Sequence, residues 1–287
     1  MELQWPLILF TTLVSASAGL FAAQGVYALV GKGVRAQCTS LYASAALLAL
    51  GGISVFLHLQ HWERVFNGFG HITSGITQEL IAVVVMAAVM IAFFVVLRRE
   101  GGVPKWCAIA AILASVALVV IAGLSYMMAA RPTWNSLLQV SSLLGLAFAV
   151  GSGAFAFIDR KADEDAAFHG ACTLTGSVVN VVGTVAFVLV MTSASGGFSD
   201  VGYYFDPNHP TTAMAAAATY SPFSGSVVAF TVLALVFALA AVACAFYGRK
   251  RRAWASAGLG VALFAVVGGI LLRMVFFACG GSVFMFY

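Results

Sequence analysis

Charge is what this chain has least of. Only 8% of its 287 residues are Asp, Glu, Lys or Arg, where water-soluble domains carry about 25%. With 62% of the chain hydrophobic, a fold in water could not hide its apolar surface, whereas a fold dissolved in lipid need not. Metal and redox-cysteine motifs are missing as well. The five cysteines, Cys38, Cys107, Cys172, Cys244 and Cys279, show no CxxC spacing, so they read as small buried hydrophobes and no metal site is expected. No histidine falls in the middle of an apolar run, which removes the paired axial ligands of a haem held between helices. There is no nucleotide-binding glycine loop. The small net charge of +4 gives no reason to expect nucleic acid.

Long apolar runs are abundant. A helix that crosses a bilayer needs about 20 apolar residues at about 1.5 Å each. Eight runs satisfy this, at about 7–30, 40–60, 75–97, 105–128, 136–158, 172–192, 226–247 and 254–278. The expected fold is an all-α, polytopic membrane bundle of eight transmembrane helices, with 1–287 forming a single integral membrane domain. Glu2 and the absence of an early Lys or Arg argue against a cleavable signal, so the first run is read as a span. The connectors are short except for the charged 159–171 and the long polar 193–225.

Basic residues orient the bundle. Lys32, Arg35, Arg98, Arg99, Lys105, Arg160, Lys161, Arg249, Lys250, Arg251 and Arg252 fall in the odd-numbered connectors, eleven of the 14 Lys and Arg. That side is expected to face the cytoplasm, with both termini extracytoplasmic. Small residues recur four apart, as in Ser15, Gly19 and Ala23, a pattern of close helix packing. Gly151, Ser152 and Gly153 fit either close packing or a kink. Gln24 and Asn180, inside spans, read as helix-to-helix hydrogen-bonding residues. The tryptophans near span ends fit an interfacial belt, Trp62 and Trp134 also as residues that touch a partner.

Ionisable groups at helix depth cost roughly 2.5–3.5 kcal/mol on insertion scales and so mark function. Three qualify: His58 at the end of the second run, Glu79 about one turn into the third, and Arg273 about one turn before the end of the eighth. All three belong to the outer third of the membrane in this orientation. A short connector makes the second and third spans antiparallel neighbours, so His58 and Glu79 are expected to share a cavity. Arg273 is open to two roles, as a ligand contact or as the partner of Glu79. His169 and His209 read as loop residues.

The stretch "LHLQHWERVFNGF…ITQELIA" resembles the segment between helices two and three of the membrane-anchor subunits of dimethyl sulfoxide reductases. The resemblance rests on His58-Leu59, on Arg64-Val65-Phe66-Asn67 and on Glu79 early in the next helix. "RPTWNS" at 131–136, "WPLILFT" at the start and "RMVFF" at 273–277 are similar in kind. Two positions depart from the family pattern. Gln60-His61-Trp62 stands where Gly-x-Pro is frequent, and Leu124-Ser125-Tyr126 where Arg-x-Tyr is frequent.

The resemblance implies a haem-free subunit that oxidises menaquinol and passes electrons to a separate iron–sulfur subunit. That subunit in turn feeds a molybdopterin catalytic subunit that reduces a sulfoxide, an N-oxide or a similar acceptor in anaerobic respiration. Terminal reduction is then not this chain's chemistry. The implied location is the cytoplasmic (inner) membrane, with the partner subunits on its extracytoplasmic face. His58 and Glu79 would be the proton-accepting pair, and Arg64, Asn67 and Arg273 further quinol contacts. Two rival readings share the composition: a polysulfide-reductase-type quinone-reactive anchor, and a secondary transporter, whose embedded charge would lie nearer the midplane.

Overall fold

The structure is a computed structural model and describes residues 3–57, 67, 69–195 and 220–281. Among these residues all regular structure is helical, and eight helices are long and apolar enough to cross a membrane. They are α1 (Trp5–Leu29), α2 (Gln37–Phe56), α3 (Gly75–Glu100), α4 (Lys105–Leu124), α5 (Leu137–Ile158), α6 (Ala166–Ala194), α7 (Val227–Arg251) and α8 (Trp254–Ala278). Each apolar run became one helix because lipid offers the backbone no partners, so every N–H and C=O must be satisfied within the segment.

The helices are not equivalent. Of the most apolar stretch of α1, 72% is buried, and of α5 67%, against 22% in α3 and in α7. The bundle is therefore built around α1 and α5, with α3 and α7 at its periphery. Helix α1 packs on α2, α4 and α5, while α5 packs on α6 and α8 as well. Small residues set the central contact. A Cβ on Gly19 would stand 1.9 Å from the Ala147 carbonyl oxygen, and one on Gly151 would stand 2.0 Å from that of Gly19. The two backbones touch, and α5 runs unbroken through Gly151 and Gly153; the glycines serve packing and not a kink. Gln24 Nε2 donates to the Gln37 carbonyl at 2.7 Å, which ties α1 to α2 as expected of an in-span amide.

The start of α1 and the end of α8 lie at one end of the bundle, where Ile8 packs in the same apolar cluster as Val275, Phe277 and Cys279. The eleven connector cations all lie at the opposite end, in the last or first turns of the helices or in the connections that join α1 to α2, α3 to α4, α5 to α6 and α7 to α8.

Three boundaries or environments differ from the expectations. Helix α4 stops at Leu124, not near 128, because the chain bends there to pack the Tyr126 ring against Phe276 and Trp134. Helix α6 starts at Ala166, six residues earlier than expected, so His169 is a helix residue and not a loop residue. Its entry is fixed by Asp165, whose carboxylate accepts from Lys32 Nζ at 2.7 Å and from the Gly33 N–H at 2.8 Å. Trp134 and Trp254 are buried, at 4% and 2% exposure, and so belong to the interior, unlike the exposed Trp5 and Trp106.

Candidate functional site

Glu79 sits in the second turn of α3 and is 7% exposed. What lets the bundle accept it is the residue one turn earlier. Gly75 and Glu79 share a helix face by their four-residue spacing. A Cβ on Gly75 would lie 2.9 Å from the Ser125 Cβ and 3.0 Å from its Cα, so the absence of that atom allows α3 to meet the end of α4. One turn on, the Ser125 hydroxyl donates to Glu79 Oε1. The same hydroxyl also lies 3.0 Å from the Ala122 carbonyl oxygen. With a single hydrogen it serves one acceptor fully at a time.

Tyr126, next along, belongs to both halves of the site. Its ring stands edge-on to Phe276 (5.9 Å), Trp134 (6.1 Å) and Phe277 (6.1 Å). Close packing, and then the nearby Glu79 charge, push its phenol above the ordinary range, while Arg273 pulls the other way. The phenol therefore stays neutral at physiological pH and lies within the electrostatic reach of both charged residues.

Arg273 is 2% exposed. Its Nη2 donates to Ser142 Oγ on α5 at 2.8 Å, and its guanidinium lies 4.9 Å from the centroid of the Phe276 ring. Of the two roles left open by the sequence, the direct pairing with Glu79 is not the one seen: Glu79 bonds Ser125 and Arg273 bonds Ser142. Arg273 Nη1 has no partner among the described residues, nor has the side-chain amide of Gln139, one turn before Ser142 on α5. Buried polar groups are nearly always satisfied, so these atoms mark a place where a polar ligand atom or water belongs.

The wall behind Tyr126 is stitched to the end of α8. Thr133 Oγ1 donates to the Cys279 carbonyl at 2.6 Å, Trp134 Nε1 to that of Phe276 at 2.7 Å, and Arg131 Nη1 to that of Gly280 at 3.1 Å. His58 and Arg64 lie outside the described residues. Asn67 is described and exposed. The expected meeting of His58 with Glu79 therefore falls partly outside the described residues.

A second group of buried polar residues lies at the cation-rich end and was not singled out from the sequence. The Tyr27 hydroxyl is 2.6 Å from His169 Nδ1, and His169 Nε2 is 3.4 Å from Asp159 Oδ2. All three residues are buried, and they join α1, α5 and α6. An apolar cavity of about 480 Å³, floored by Gly19, Ala23 and Ser152 and walled by Ile112, Phe148 and Cys172, ends at Tyr27. It lies in the half of the bundle away from Glu79, and its walls offer almost no polar surface. The volume therefore suits a hydrocarbon chain, and the Tyr27 hydroxyl at its end is already engaged by His169. No group of three or more His, Cys, Asp or Glu positioned for a metal occurs among the described residues.

Comparison of the chain with protein-family models and with curated proteins gives no match.

Proposed function

We propose that this chain is the menaquinol-oxidising membrane anchor of a reductase complex. Its iron–sulfur and molybdopterin subunits are separate polypeptides on the extracytoplasmic face of the cytoplasmic membrane, the face to which both termini are assigned. The observation that carries the reading is a carboxylate, Glu79, kept inside an apolar bundle against Ser125 and near Tyr126, which also lies near Arg273. An embedded acid is retained when it has work to do. The resemblance of the surrounding stretch to dimethyl sulfoxide reductase anchors supplies the substrate class.

Oxidation of a quinol to a quinone releases two electrons and two protons. Glu79 takes a hydroxyl proton, for which a hydrogen-bonded carboxylate is a suitable base, and Ser125 holds it in position. Arg273 Nη1 and the Gln139 amide are the donors available to the ring oxygens. His58 receives the second proton-accepting role from the resemblance alone. The electrons leave for the clusters of the partner subunit. Because the site and the acceptor lie on the same side, neither protons nor electrons cross the bilayer and turnover is electrically silent.

The test is Glu79→Gln in the intact complex, with iron and molybdenum content measured alongside menaquinol-analogue oxidation. Loss of about 100-fold or more in rate at unchanged metal content is expected, the lower range for a general base. Unchanged rate ends the assignment. A membrane-potential response in proteoliposomes during turnover would refute the same-side arrangement.

A further inference from the structure

At the cation-rich end, a cleft of about 400 Å³ opens between the first turn of α2 and the last turn of α5. Its chemistry is set by Arg35, Thr39, Phe157, Asp159, Arg160 and Lys161. We propose that this cleft binds the phosphate head group of an anionic phospholipid.

Three cations face one carboxylate there, a formal balance of +2. Arg35 and Lys161 are exposed and have neither hydrogen-bond nor ion-pair partners among the described residues. Arg160 lies 4.7 Å from the centroid of the Phe157 ring and donates from Nη1 to the Phe157 carbonyl at 3.0 Å, which holds its plane while leaving other N–H groups free. The one acid is largely covered: Asp159 is 4% exposed, with Oδ2 3.4 Å from the buried His169 Nε2. A neighbouring cavity of about 320 Å³ has the opposite character, with Lys32 and Arg35 against Asp159, Glu164 and Asp165. An anion is repelled from that side and confined to the Arg160–Lys161 side.

Two features distinguish a lipid from a soluble anion. The cleft lies where a bilayer-spanning helix ends, at head-group depth, and basic pockets between helices at that level recognise acidic lipids. Its remaining walls are apolar, from Phe157 and Ile158, and a free phosphate would leave them uncovered, whereas the glycerol and first methylenes of a lipid would cover them.

The experiment incorporates the full chain into nanodiscs of equimolar phosphatidylcholine and phosphatidylglycerol and counts retained lipids by native mass spectrometry. Enrichment of phosphatidylglycerol is expected. Arg35→Gln/Arg160→Gln/Lys161→Gln should reduce the enrichment by roughly fivefold per cation removed, with thermal unfolding in lipid-free detergent unchanged because all three side chains are exposed. A control, Arg98→Gln/Arg99→Gln/Lys250→Gln, removes three exposed cations elsewhere on the same end and should leave the enrichment intact. Equal losses in the two triple variants, or no loss in the first, would overturn the proposal. Displacement of the lipid by inorganic phosphate alone would overturn it in favour of a soluble-anion site.

Discussion

The contact between Glu79 and Ser125 can be tested without any substrate, by a double-mutant cycle of Glu79→Ala, Ser125→Ala and the pair. Glu79 is 7% exposed, so solvent screens the contact little. A hydrogen bond to a charged group is worth about 1.5–3 kcal/mol. In the parent, Ser125→Ala removes that donor from a buried carboxylate. In the Glu79→Ala background the hydroxyl retains the Ala122 carbonyl at 3.0 Å, so its removal costs little. With the carboxylate ionised, at alkaline pH, the coupling energy should therefore be about 1.5–2 kcal/mol. Glu79→Ala alone is uninformative, since deleting a buried charge can stabilise or destabilise a fold; only the difference between backgrounds isolates the contact. Reversible unfolding in mixed detergent, followed by helical circular dichroism, gives the four free energies. Additivity within about 0.5 kcal/mol would refute the reasoning, and with it the claim that Ser125 positions the acid.

Two further outcomes follow from the packing. Gly19→Leu, placed where a Cβ already stands 1.9 Å from the Ala147 carbonyl oxygen, should cost about 3 kcal/mol or more, while Gly52→Leu, with nothing within 4 Å, should be near neutral; folded yield in detergent separates the two. Tyr27→Phe breaks the 2.6 Å bond and leaves His169 Nδ1 buried without its partner, at about 1–3 kcal/mol. The fall should appear in the thermal midpoint, and adding His169→Phe should not restore it, because the buried Asp159 would then lose His169 Nε2, 3.4 Å from its Oδ2.

Apolar length made the helices legible, since a bilayer demands a run of nearly fixed length and every such run became one helix. Glu79 and Arg273 were legible for the same reason in reverse: charge stands out against an apolar background. Ser125 was not. Serines are common near span ends, and what distinguishes this one is the termination of α4 at Leu124 and the missing Cβ of Gly75, neither of which leaves a mark at position 125 itself. His169 was hidden by the charged DRKADED stretch before it, which reads as connector. The signal that would have placed it is the Asp165-Ala166-Ala167 step, an acid followed by good helix formers. Asp165 does precede the helix, but its carboxylate serves Lys32 and Gly33 and caps no N–H of α6. That choice depends on a contact 132 residues away in sequence, beyond the reach of local patterns.

The backbone-to-backbone seam between α1 and α5 has a consequence for biogenesis. Helix α1 is made first, yet the surface it hides most completely is shaped to receive a segment synthesised more than a hundred residues later. Until that segment is inserted, the notch around Gly19 must be filled by lipid or by the insertion machinery, and the early hairpin of α1 and α2 is an unfinished half. Assembly is therefore gated by the arrival of the fifth crossing, and chains truncated before it should remain substrates for membrane quality control.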